Sequence, residues 1–225
     1  MKKFHFYLLL IIIIVLLFSG MTRKEIHTAE NNLKILTESD SFDLNEGDIL
    51  VRPNWSWLPG SSPIADGRKY GHVAVVTKGA RGASISETLE NATVVEALFF
   101  DQATKEFQLK KENQIREGKS IVSFGSKFTG IRYRLRIPLT EEQKKKIIVF
   151  ARSQLDGGYN ILSVKKKQKE NSKMENCDWH CATLVWQAYY LATGLDIDAN
   201  DGMFIYPSDI IASRVFDNTG GIVRF

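Results

Sequence analysis

Cys181-Ala-Thr-Leu-Val-Trp-Gln-Ala-Tyr189 reads as the opening of a buried helix with a thiol at its mouth. Far upstream, Gly71-His72-Val-Ala-Val-Val76 sets an imidazole at the start of a strand. A cysteine at a helix start feels the positive end of the dipole and unpaired backbone N–H groups, both of which favour thiolate over thiol. To act as an acyl-transfer nucleophile it still needs a base. Of the four histidines, His5 lies in an apolar run, His27 in a polar tether and His180 beside the thiol, so His72 is the one on a folded strand.

The flanking sequence predicts the scaffold. Glu46-Gly47-Asp48 forms a turn before a strand at Ile49-Leu50-Val51 that Pro53 ends, and the segment from Trp55 to Tyr70 is an aromatic loop. Val73–Thr77 is a buried strand, followed across a polar connection by Ala92–Phe100, then by strands at Lys119–Phe124 and Ile131–Ile137. The alternation of Arg132-Tyr-Arg-Leu-Arg-Ile137 predicts one face in water. Thr140-Glu-Glu-Gln143 is a capping box opening a helix that runs to Gly157-Gly158. Asp178 is read as the N-cap of the cysteine helix, with Cys181 at the third position and Gly194 as its stop. A short strand closes the chain at Ile222–Phe225. Strands and helices in separate runs predict an α+β fold with an antiparallel sheet packed against the nucleophile-bearing helix.

Composition narrows the classes. Four of the 30 basic residues (Lys2, Lys3, Arg23, Lys24) fall in the first 24 positions with no acid, leaving 26 basic against 26 acidic residues. A neutral domain gives no electrostatic reason to expect a nucleic-acid partner. Lys2 and Lys3 followed by the apolar run Phe6–Phe18 read as an export signal or an uncut membrane anchor over residues 1–20. Residues 21–43 then read as a tether, and 44–225 as the folded domain of an exported, cell-envelope protein. The lysines at 165, 166, 167, 169 and 173 form a loop suited to contact with an anionic membrane surface.

Glu96 interrupts the apolar run Val94-Val95-Glu96-Ala97, where a carboxylate is costly without a partner. In an antiparallel pair of even register it shares a face with His72 and fixes the tautomer of the imidazole. Cys177, Cys181, His180 and His72 lack the paired spacing of a structural zinc site, so neither metal nor cofactor is expected. His180 is the alternative base, although adjacent residues at a helix start are expected to point apart.

Taken in order, Gly47-Asp48-Ile49, Gly71–Val76, Val94–Ala97, the arginine strand leading into Leu139-Thr140, Leu155–Tyr159 and Cys181–Tyr189 resemble the circularly permuted, YiiX-like branch of the NlpC-type papain-like cysteine hydrolases. Lecithin retinol acyltransferase is a more distant relative. The resemblance implies a circularly permuted papain-like fold, with Cys181 as nucleophile, His72 as base, Glu96 as the orienting third member and Tyr159 near the oxyanion. Ala182 stands where the family commonly has serine. The implied substrate is a cell-wall (peptidoglycan) peptide amide or a lipid acyl group. The alternatives are a lipid acyltransferase or thioesterase of the same fold and a catalytically inert, membrane-tethered binding module.

Overall fold

The computed structural model describes residues 33–53, 70–98, 110–111, 113–128, 130–166, 178–218 and 220–225. The signal segment, the loop bearing Trp55 and Trp57, Cys177 and most of the lysine loop lie outside them. Alternation of side chains along the central strands decides how the layers form. In β2 (Ile49–Pro53) and β3 (Tyr70–Lys78), Ile49, Val51, Val73 and Val75 point to one core, while Leu50, Ala74 and Val76 point to another. A strand apolar on both faces has to be covered on both.

The remaining elements supply those covers. They are β1 (Phe42–Leu44), β4 (Ala80–Gly82), α1 (Ile85–Asn91), β5 (Thr93–Ala97), β6 (Lys110–Lys111), β7 (Ile115–Lys119), α2 (Ser120–Phe124), β8 (Tyr133–Leu135), α3 (Glu141–Ser153), β9 (Tyr159–Asn160), α4 (Cys181–Thr193), α5 (Pro207–Ile211) and β10 (Ile222–Arg224). Among the described residues six strands form one sheet in the order β10-β8-β2-β3-β5-β7, antiparallel at every step. On one face lie α3 and α4, through Ile147, Ala151, Leu184, Val185 and Ala188. On the other lie α1, Phe124 of α2 and the β1–β4 ribbon, through Ile85, Leu89, Phe42 and Leu44. The fold is therefore mixed α and β with antiparallel sheets, as the α+β expectation requires.

Local signals explain the elements that position the site. Thr140 and Gln143 form the expected capping box, and α3 ends at Ser153. Gly194 terminates α4 in the left-handed conformation at φ 72°. Gly47, at φ 86°, lets the β1–β2 turn close, and its carbonyl accepts the Tyr189 hydroxyl, which ties α4 to the start of the inner strand β2.

Five sequence expectations change. The stretch Lys119–Phe124 is the end of β7 followed by α2, because Ser120 turns inward to donate to Leu89 O and Gly125 caps the turn. The connection at 79–91 holds β4 and α1, the latter capped by Ser84 on the Glu87 N–H. The arginine strand is shorter than expected, and Arg132 and Arg134 are buried. Arg132 stacks on Phe225 and donates to Phe124 O, while Arg134 donates to Gly220 O, so neither faces water. The folded unit also starts upstream of Leu44, since Phe42 is core and Leu36 N–H bonds Arg224 O. Finally, β5 ends at Ala97, and residues 99 and 100 are outside the described set.

Candidate functional site

His72 and Glu96 enter from neighbouring strands. The pairing Val75↔Val95 places both on the α2 face, and His72 Nε2 stands 2.7 Å from Glu96 Oε2. Ser123 Oγ of α2 donates to the other oxygen, Oε1, also at 2.7 Å. Phe124 stacks on the imidazole with centroids 5.6 Å apart. Burial alone would raise Glu96, yet the His72 and Ser123 bonds and the charge of Arg52 hold it below the ordinary carboxylate range. For His72, burial outweighs the glutamate and pulls its pKa down. The pair is thus a carboxylate and a neutral imidazole whose proton sits on Nε2, leaving the Nδ1 lone pair free.

Cys181 reaches the same end of β3 from the opposite layer. His180, not Asp178, is the N-cap of α4: its backbone is extended, its Nδ1 accepts the Ala182 N–H at 3.3 Å and its N–H bonds Thr183 Oγ1 at 3.0 Å. Cys181 is therefore the first helical residue. Backbone N–H groups of Val73, Ala182 and Cys181 itself are directed at the sulfur. Val73 follows His72 directly and lies beyond the point where β3 pairing with β5 starts. The Cys181 sulfur and the His72 ring are not hydrogen-bonded to each other.

Tyr159 is brought to the thiol by its own short strand. Trp179 N–H bonds Gly158 O at 2.9 Å and Asn160 N–H bonds Trp179 O at 3.2 Å, clamping β9 alongside the residues that lead into α4. The buried phenol hydrogen-bonds the Cys181 sulfur, and burial together with that neighbour raises its pKa well above the usual value.

Two expectations about the thiol are overturned. Burial pushes the Cys181 pKa up to about 12, and the backbone donors and Arg52 offset only part of this. The resting group is a protonated thiol, because helix-start donors do not offset a side chain only 1% exposed. His180 also does not point away. Both of its ring nitrogens lie 3.9 Å from the sulfur. Equal distances place the sulfur off both lone-pair axes, and Nδ1 is already occupied by Ala182, so the contact is packing rather than a base–nucleophile bond. Burial holds His180 down at about 4.

The structure thus gathers His72, Glu96, Tyr159 and Cys181 at one end of the sheet. It adds Ser123 and Arg52, which sequence reasoning missed. Arg52 follows the apolar run Ile49–Val51 within the same strand, and the argument from a charge in an apolar strand that singled out Glu96 finds it. Among the described residues no group of three or more His, Cys, Asp and Glu side chains is arranged to hold a metal.

No protein-family model matches the chain. Over 77 residues it is 30% identical to the uncharacterized protein YycO of Bacillus subtilis strain 168, a stretch covering 34% of this chain and 30% of that protein. The match thus spans less than a third of that relative's length. Among solved structures, the metalloprotein YiiX from Escherichia coli O157:H7 is similar with a TM-score of 0.47 and 14% identity, over 80% of this chain and 95% of that one.

Proposed function

We propose that the chain is an exported cysteine hydrolase of the circularly permuted papain-like, YiiX-like kind, acting on amide or ester bonds. The observation that carries this reading is the buried His72–Glu96 pair, one residue from the Val73 N–H that holds the Cys181 sulfur. In the reaction, Cys181 Sγ attacks the carbonyl carbon while its proton passes to His72 Nδ1. The carbonyl oxygen becomes an oxyanion facing the Cys181 N–H and the Tyr159 hydroxyl. Collapse expels the amine or alcohol, which takes the proton back from His72, and leaves a thioester. Water, deprotonated by His72, then hydrolyses it. Glu96 keeps the proton on Nε2 and stabilises the transient imidazolium.

Substrate and location extend the same proposal. The apolar N-terminus supports an envelope location, and with it a cell-wall peptide amide or a lipid acyl group. An acyltransferase differs only in letting an amine or alcohol take the place of water. Incubating the protein with peptidoglycan fragments and with phospholipids, and reading products by mass spectrometry, separates these substrates. No product from either removes the reading.

One observation favours a second reading. A buried, protonated thiol with no bond to an imidazole base is what a tethered binding module that kept the fold without turnover would have. In that case replacing Cys181 leaves ligand binding unchanged and no acyl adduct forms.

A further inference from the structure

His180 is tied to its own helix by two hydrogen bonds of unequal quality. Its backbone N–H reaches Thr183 Oγ1 at 3.0 Å, and that hydroxyl also meets His180 O at 2.9 Å and Ser163 Oγ at 3.1 Å. The side-chain half is looser, with Nδ1 accepting the Ala182 N–H at 3.3 Å. With Nδ1 as acceptor, the proton of the neutral ring sits on Nε2, which among the described residues faces only the Cys181 sulfur, 3.9 Å away. Tyr159 of β9 and Tyr206, which leads into α5, enclose the ring with centroids 5.6 and 6.3 Å away, and the His72 imidazole acts on it from β3.

The Ala182 N–H therefore has two claimants. It is one of the backbone donors aimed at the Cys181 sulfur, and it is the one that His180 also takes. A donor is worth most to the sulfur when the sulfur is charged. Whatever share the neutral imidazole draws is thus lost mainly from the thiolate, and the thiol is little affected.

We infer that His180 is a positioning residue that holds the thiol in its resting, protonated form by drawing the Ala182 N–H away from the sulfur. It acts through the backbone of α4 and is not the base. Thr183 caps the same helix end independently, so loss of the imidazole bond leaves α4 starting at Cys181 and returns the N–H to the sulfur. The thiolate forms when the thiol proton passes to His72 Nδ1 or to water, and the returned N–H makes that step easier. In the hydrolase reading this makes the residue before the nucleophile a control on its reactivity. The effect on the thiol itself stands without that reading.

Alkylation of Cys181 tests this without turnover. Full-length wild type, His180→Phe, His180→Leu and His180→Asn are treated with iodoacetamide from about pH 7 to 10, the range that brackets a free thiol. Labelling of the Cys181 peptide is followed by mass spectrometry, with circular dichroism as the check on folding. Phe keeps a ring of similar size over the sulfur and has no acceptor, whereas Asn sets Oδ1 where Nδ1 stood. At each pH His180→Phe should label about tenfold faster than wild type, the fold-change that one hydrogen bond to a charged group produces. His180→Leu should follow it and carries the test if the Phe variant does not fold. His180→Asn should label close to the wild-type rate. A folded Phe or Leu variant that labels no faster than wild type would overturn the inference, because the N–H would then not be shared. An Asn variant as fast as the Phe variant would overturn it too, since uncovering of the sulfur would then account for the gain. No substrate carbonyl is attacked in this measurement, so failure of the hydrolase reading leaves these rates unchanged.

Discussion

His72 and Glu96 meet across β3 and β5 with Nε2 and Oε2 2.7 Å apart and side chains only 5% and 8% exposed. An ionised, buried glutamate accepts, so Nε2 must donate and Nδ1 is the basic nitrogen. Glu96→Gln keeps an oxygen acceptor but removes the charge. Turnover in this variant should fall by about 10- to 100-fold, less than in His72→Ala, which removes the general base and its contribution of roughly 100- to 10,000-fold. Steady-state rates of the two variants on one substrate check the order.

Ser123 acts on His72 through Glu96 and is a positioning residue. Ser123→Ala leaves Oε1 buried without a donor, at a cost of about 1–3 kcal/mol in stability. It also raises the Glu96 pKa, because a hydrogen bond to the charged form is lost. The acid limb of the activity profile should therefore move to higher pH, and Ser123→Thr should restore it. Loss of stability with an unmoved limb would leave Ser123 a purely structural residue.

How much of this was legible in the sequence depended on whether a local signal outweighed its surroundings. The need of Glu96 for a partner could be read because a carboxylate in Val94–Ala97 has few places to go, whereas the β3–β5 register that brings it to His72 depends on how β4 and α1 fill the connection and was open in the sequence. Gly194 and the Thr140–Gln143 box gave helix ends for the same local reason. Ser123 was hidden because Ile121, Val122 and Phe124 look like a strand, and only the inward bond of Ser120 to Leu89 O makes the segment a helix. The state of the thiol was misjudged because burial is a tertiary quantity, set by Tyr159, Val73 and His180 closing around Cys181.

His180 should leave a mark on acid stability. Its folded pKa is held at about 4 against 6.5 for the free side chain. Between these values the unfolded chain binds a proton that the folded chain does not, so stability rises with pH across this window. The contribution is full above pH 6.5 and amounts to about 3 kcal/mol. Asp209, raised to about 7 by burial, acts with the opposite sign over part of the range, so the comparison has to be between variants. His180→Asn retains an N-cap and should flatten the slope between pH 4 and 6.5, measured by urea unfolding at several pH values. Parallel curves would show that His180 titrates normally.

The closed thiol should resist alkylation. A pKa of about 12 in place of 9.0 lowers the thiolate fraction at pH 7 roughly a thousandfold. Iodoacetamide labelling of Cys181, followed by peptide mass spectrometry, should be slower than that of a free thiol by about that factor and should climb with pH beyond 9. A labelling midpoint below about 8.5 would mean the resting sulfur is an activated thiolate after all.

The central claim is that Cys181 attacks carbonyl carbon with His72 as its base, and an activated ester tests it without knowledge of the natural substrate. Full-length protein mixed with p-nitrophenyl acetate should release a burst of nitrophenol equivalent to one site per chain. Intact mass should show one acetyl group, mapped to Cys181. Cys181→Ala should show neither, and His72→Ala should lose the burst while keeping its fold by circular dichroism. An acetyl group elsewhere, or a Cys181 adduct formed as fast without His72 as with it, would contradict the account.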